Sequence, residues 1–366
     1  MKIKSILFTT LCSLMMVTSL TACTDSEQTP EPTICPMESR YYILNEGHWG
    51  ANNASIAMFH HPSGDGMVQK NLYQEVNSKK MGDVANGMMK EDDNIYILLN
   101  GSKYVARLDL CISEQARYSF PESDGEPRCM DVEGDYAYVT QYGGQVTKLN
   151  IKDMTWAGAF NQGDNLEGIV AKNGKLYVAN SYKVDASGNF LYNKEVFVID
   201  SNTMTLENTI QVIDNPTKMY EIDDNIYLIS AGNYYDIPGA LQLIDPKTGT
   251  SKVILNDVAK ITEGFDGWIY GVRSTYDANW QLTNSFFSYH PMTGAINESS
   301  FLRDAPTSFA TDAIYLLFAD EENGYIFVGT TDYQNTGTIY VFNQMGNLVN
   351  TLDSGGINPS TIIYLD

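Results

Sequence analysis

The sequence predicts an all-β fold, a seven-bladed β-propeller with its ring closed by the C-terminal strand completing blade one. Three observations predict it. A turn followed by an aromatic-bearing strand recurs about every 49 residues, the period of propeller repeats. A second turn signal follows each copy. The last residues of the chain also repeat the start of an internal unit.

The first signal reads as a two-residue turn of Asp, Asn or Gly and then a strand. It appears as DDNIYIL (92–98), EGDYAYV (133–139), KNGKLYV (172–178), DDNIYLI (223–229), FDGWIYG (265–271) and EENGYIFVG (321–329). Asn, Asp and Gly tolerate the positive φ that tight hairpins between twisted strands require. The aromatic positions are Tyr96, Tyr138, Tyr177, Tyr227, Tyr270 and Phe327, with Tyr42 a seventh that lacks its preceding turn. The second signal is a short strand ending in a turn: MFHHPSG, RLDLCIS, KLNIKDM, VIDSNTM, LIDPKTG, SYHPMTG and VFNQMGN. Its first polar residue is His60, Asp109, Asn150, Asp200, Asp245, His290 or Asn343. Asp and Asn suit this place because their side chains accept hydrogen bonds from the backbone of the turn.

The missing turn before Tyr42 has an explanation. The final stretch NPSTIIYLD (358–366) aligns with NPTKMYEID (215–223), the first strand of blade five. It should complete blade one beside Tyr41–Leu44 and leave no long open edge. Seven matched four-stranded units argue against a β-sandwich, and neither an amphipathic helix nor a WD signature stands out.

Before the propeller (37–366) come a leader and a tether. Lys2 and Lys4, an apolar stretch from Ile6 to about Leu20 and then LTAC make residues 1–22 a signal peptide. The small residues before Cys23 resemble a bacterial lipobox, which implies acylation of Cys23. The segment TDSEQTPEPT, within 23–36, is acidic and proline-bearing and reads as a flexible tether. An acidic stretch there also resembles the surface-export signal of some Gram-negative lipoproteins. Without Lys2 and Lys4 the net charge moves from −22 to −24, a surface that repels nucleic acid. No apolar run of about 18 residues follows the leader, so the expected membrane link is the lipid alone. Of the remaining cysteines, Cys129 lies in an apolar strand, RCMDV, which leaves Cys35 and Cys111 as the candidate disulfide of an exported chain.

Insertions point to one face. From the aromatic of the second strand to the turn after the third, blades two and three need 13 and 12 residues. Blades one, four, five, six and seven take 18, 23, 18, 20 and 16. These loops emerge together, and insertions gathered on one face mark a binding surface. They carry Trp49, Tyr182, Tyr192, Tyr234, Tyr235, Tyr276, Trp280 and Tyr333, with Asn180, Asn233, Arg273 and Asn279; the short loops add Tyr104 and Tyr142. Lys79, Lys80, Arg128 and Phe309 enter from the loops between blades. Rigid aromatics with a polar tip give large contact area at low entropic cost.

Catalytic signals are sparse. His60, His61 and His290 fall in turns of the opposite face, so only His48 reaches the candidate surface, and no Cys/His metal spacing exists. There is neither a GxSxG elbow nor a phosphate-cradling Gly loop. Glu46, Asp164, Glu167 and Glu263 fall nearer the mouth, without a spacing that defines an acid–base pair. Gly47 and Gly50 suit a loop needing unusual φ or close backbone approach. The chain reads as a binding protein without a cofactor, not an enzyme.

The leader ending at Cys23, the stretch LNEGHWGANNASI (44–56) and the repeats together resemble the bacterial surface lipoproteins of the BtuG type, which bind vitamin B12. The resemblance spans essentially the whole chain after the leader. It implies an outer-membrane, outward-facing lipoprotein that captures cobalamin and related corrinoids. It further implies a TonB-dependent transporter as the partner to which the ligand passes. A glycan-binding or adhesive lipoprotein would use the same aromatics to stack sugars, and a propeller hydrolase or lyase would need titratable groups near the central channel.

Overall fold

Each turn-plus-aromatic signal becomes the second strand of a blade. The computed structural model describes residues 38–64 and 68–366. The leader, Cys23, the tether and Cys35 lie outside the described residues. Blade two is Ala85–Glu91, Asn94–Leu99, Tyr104–Asp109 and Glu114–Ser119. Blade three is Pro127–Glu133, Tyr136–Gln141, Gln145–Asn150 and Trp156–Asn161, and blade four is Asn165–Lys172, Lys175–Val184, Phe190–Asp200 and Thr205–Gln211. Pro216–Ile222, Asn225–Ser230, Ala240–Asp245 and Thr250–Asn256 form blade five. Val258–Glu263, Ile269–Tyr276, Leu282–His290 and Ala295–Asn297 form blade six. Ala313–Asp320, Tyr325–Thr331, Thr338–Asn343 and Leu348–Asp353 form blade seven.

Blade one is composite, as the terminal repeat predicts. Pro359–Leu365 pairs antiparallel with Arg40–Asn45, which pairs with Ser55–Phe59; Tyr41 faces Tyr364 and Ile43 faces Ile362. Among the described residues the expectation of four strands per blade fails here. In place of a fourth strand there is one bridge, in which Met58 and Gln69 exchange both backbone hydrogen bonds. A six-residue helix the sequence did not announce, Leu72–Asn77, comes next and buries Leu72 and Tyr73 against the cleft between blades one and two. Asn77 Oδ1 accepts from Glu114 N, tying the helix to blade two.

The core consists of slabs between blades, one cluster per cleft. The repeat aromatics build them. Tyr42, Tyr96, Tyr138, Tyr177, Tyr227, Tyr270 and Phe327 each enter the cleft between their own blade and the next. A ring closed by such slabs replaces a single central core, so each blade is buried only by its neighbours.

The second signal also folds as expected. Asp109 Oδ1 accepts from Cys111 N and Ser113 N, Asp200 Oδ1 from Asn202 N and Thr203 N, and Asp245 Oδ1 from Lys247 N. These bonds hold the Asp200 and Asp245 carboxyls below the usual range. His290 takes the same place and packs edge-on against Trp268. Cys111 is disulfide-bonded and Cys129 is the free thiol among the described residues.

Candidate functional site

A propeller's first strands run side by side around its axis, so the side chains they present at one end decide the chemistry of the mouth. In all seven blades the first strand slips register against the second near its start, at the end where the long loops emerge. A bulge re-aims the unpaired residue's side chain. The residues so released include Ser360, Asn86, Arg128, Glu167, Thr217, Ala259 and Tyr315.

Several of them converge on a polar cluster at the axis. Arg128 Nε donates to Glu167 Oε2 at 3.2 Å, and its guanidinium lies 4.7 Å from the Tyr142 ring centroid. Tyr142 Oη donates to Glu167 Oε1 at 2.7 Å, and Asn86 Nδ2 to Arg128 O. On the other side Tyr315 Oη donates to Glu46 Oε2, and Lys260 Nζ lies 5.3 Å from the Tyr315 ring centroid. Glu46 feels Lys260, Arg128 and Lys218 together. Burial raises its carboxyl above the ordinary range, and the Tyr315 hydroxyl and these cations pull it partly back. Burial and the adjacent Lys218 push the Lys260 amine well below the usual lysine range.

Around this cluster stand the inserted loops, each pinned by a side chain that caps its own backbone. Asn233 Oδ1 accepts from the N–H groups of Tyr235, Asp236 and Ile237. Asp277 Oδ1 accepts from Asn279 N and Gln281 N; Asp332 Oδ1 accepts from Gln334 N and Asn335 N, which lowers its carboxyl to about 2. In blade four the insertion lengthens the second and third strands into a ribbon, turned at Asp185, whose Oδ1 accepts from Ser187 N and Asn189 N. In blade one, Asn53 Oδ1 takes the His48 N–H and Asp83 takes those of Gly50 and Asn52. Gly47 has φ of 77°, and a Cβ there would meet Asn53 Oδ1 at 2.5 Å.

Rigid loops present exposed aromatics. Trp49, Tyr234, Tyr235, Tyr276, Trp280 and Tyr333 are all at least half exposed, Tyr235 at 94%. Tyr276 packs against Trp280, Tyr234 against Tyr192, and Tyr333 edge-on against Tyr315. Burial, and after it neighbouring hydroxyls that include Tyr276, raise the Tyr234 and Tyr333 phenols. Three of these residues, Tyr234, Trp280 and Tyr333, have φ of 58°, 60° and 62°. Bulky side chains are rare in that left-handed region, and such strain persists where the surroundings enforce it. Tyr182 bridges inward, packing on Tyr142 and on the exposed Phe190.

Some predicted contacts are corrected. Tyr104 is 2% exposed: its hydroxyl donates to Met81 O and the Arg117 guanidinium lies 3.5 Å from its ring centroid. Asn180 is 3% exposed, accepting from Asp164 N and donating to Glu195 Oε2. Phe309 is packed in the cleft between blades six and seven. These three hold loops to blades and do not meet solvent at the mouth. Arg273 reaches Asp257 and Glu298, each at 3.5 Å. Arg128 and Tyr142 are spent partly on Glu167, and His48 contributes its backbone to the loop. Sequence reasoning missed Tyr315, Lys218 and Lys260. The signal that finds them is the alignment of first-strand starts, Pro127-Arg128, Leu166-Glu167, Pro216-Thr217-Lys218, Val258-Ala259-Lys260 and Ile314-Tyr315. Among the described residues no group of three or more His, Cys, Asp or Glu is arranged to hold a metal ion.

No curated protein matches the chain. Solved structures share its architecture. A streptogramin B lyase is 14% identical over 86% of this chain and 87% of its own, with a TM-score of 0.54. Hydrazine synthase of Kuenenia stuttgartiensis is 16% identical over 69% and 74%, at 0.53. The WD40 repeats of RRP9 are 11% identical over 75% and 82%, at 0.54. At such identities the likeness is one of fold. Residues 39–270 match the family described as "Domain of unknown function (DUF5074)", and the chain belongs to that family.

Proposed function

We propose that this chain is a cell-surface lipoprotein that captures cobalamin or a related corrinoid on the aromatic mouth of the propeller. It would pass the ligand to an outer-membrane TonB-dependent transporter. The observation that carries this reading is the set of exposed aromatics, Trp49, Tyr234, Tyr276, Trp280 and Tyr333, held on self-capped loops around one polar mouth. A corrin is broad, flat in its centre and fringed with amides. It is matched by rings that offer area and by hydroxyls that offer hydrogen bonds. Left-handed backbone at three of the aromatics supports a selected, pre-organised surface. The lipobox-like LTAC and the acidic tether support anchorage through Cys23. In this reading the protein is not an enzyme: the bound molecule undergoes no chemistry, and no cofactor takes part.

The test is calorimetric titration of the chain after the leader with cyanocobalamin, with oligosaccharides in parallel. Saturable heat with the corrinoid and none with the sugars is expected. Heat with the sugars alone would replace this reading with a glycan-binding surface protein.

A further inference from the structure

The axial cluster contains a charge imbalance that the aromatic mouth does not use. The chain carries 45 acidic residues against 23 basic ones, for a net charge of −22. In such a chain half-buried cations find partners easily. Arg128 pairs with Glu167, Arg117 with Glu114, and Lys172 with Glu221 and Asp224. Lys218 and Lys260 differ. They come from the equivalent place in the first strands of blades five and six, one residue past the bulge. Lys218 Nζ lies 3.4 Å from the carbonyl of Ala259, the residue before Lys260, and its charge acts on Lys260. Among the described residues, no carboxylate forms a salt bridge with either.

Among the described residues, the groups that face the pair offer it no free counter-ion. Glu46 acts on Lys260 from a distance, and its carboxylate already accepts from Tyr315. Glu167 is committed to Arg128 and Tyr142. Cys129 and Tyr220 border Lys218, and burial raises both so that they stay neutral. The acceptor that Lys218 Nζ meets, Ala259 O, is a neutral carbonyl. Lys218 is exposed, so solutes can reach it. Burial, and after it the charge of Lys218, depress the Lys260 amine. A dianion set between the two lysines offsets that charge and satisfies donors on both.

We propose that Lys218 and Lys260 form a phosphoryl-binding subsite at the axis, taking either free phosphate or the phosphate group of an organic ligand seated on the mouth. The carbonyl of Ala259 faces Lys218 and does not compete for the anion, and the Tyr315 ring shields one side of Lys260.

Titration of the whole chain after the leader with inorganic phosphate and with phenyl phosphate tests it, at constant ionic strength set with sodium chloride. Both should give saturable heat, while acetate at the same ionic strength gives none. Lys218→Gln and Lys260→Gln should each weaken phosphate binding by about tenfold or more. Circular dichroism confirms that each variant is folded, and the exposed Lys218 gives the safer variant. Tighter binding of phenyl phosphate than of inorganic phosphate would assign the subsite to an organic ligand; equal binding would assign it to the free ion. Absence of saturable heat with either probe, or folded variants that bind like the parent, would overturn the proposal. Neither probe contains a corrin, so this result and the cyanocobalamin titration fail independently.

Discussion

Tyr315 and Glu46 meet across the seam of the ring, with the Tyr315 hydroxyl of blade seven donating to Glu46 Oε2 at the end of blade one's second strand. The sequence singles out Glu46 as a carboxylate near the mouth but gives no sign of Tyr315. Together they couple the closure of the ring to the electrostatics of its mouth.

That contact carries a pH signature. Burial raises the Glu46 carboxyl, and burial pushes Asp131 up to about 6. A carboxyl with a raised value holds its proton more tightly folded than unfolded. Its stabilising contribution is full below the unfolded value, near 4, and is lost as pH rises through the folded value. Glu46→Gln should therefore gain in melting temperature relative to the parent as pH rises from about 4 to 7. Tyr315→Phe should cost about 1–2 kcal/mol at neutral pH and raise Glu46 further, steepening the decline. Thermal melts of the three proteins across that window decide it; parallel curves would mean that Glu46 does not titrate there.

Exposed and buried aromatics should separate cleanly. Trp49→Ala and Tyr276→Ala remove exposed rings, so melting temperature should stay within about 1–2 °C while corrinoid affinity falls by about tenfold or more. Tyr104→Phe should do the reverse. It leaves Met81 O without its buried donor, costs about 1–3 kcal/mol and leaves affinity unchanged. Calorimetry and melts on the same preparations give both readouts.

The strained aromatics make a sharper case. Glycine at Tyr234, Trp280 or Tyr333 would relieve a left-handed backbone. Each substitution should raise stability by up to about 1 kcal/mol and weaken the ligand at once. Opposite movement of melting temperature and affinity is the expected pattern; loss of both would make these residues packing elements.

The fold was legible because each repeat states its own turns. Asp109, Asp200 and Asp245 are turn caps by chemistry alone, and Tyr96 or Tyr177 fills a cleft because a propeller has clefts to fill. The missing fourth strand of blade one was not legible, since MFHHPSG makes the same turn whether or not a strand comes after it. The loop face was legible through its insertions, which is how Trp49, Tyr276 and Tyr333 were found. Exposure within a loop was not, because it depends on which neighbour reaches the ring first. Arg117 lies over Tyr104, while nothing covers Tyr235. The axial lysines were hidden for a different reason. Lys218 and Lys260 lie 42 positions apart and become neighbours only through bulges that repeat from blade to blade.

The composite first blade also sets an order of events. Arg40–Asn45 leaves the ribosome early but finds its inner neighbour, Pro359–Leu365, only after the six intervening blades have been made. Until then the apolar edge of Tyr41, Ile43 and Leu44 has no partner on that side. Pairings of such long sequence separation form slowly, because the intervening chain must first be drawn together. Blades two to six can form from local hairpins while this edge waits. The nascent propeller is therefore an open arc with one exposed strand, which must be kept from pairing with its own copies.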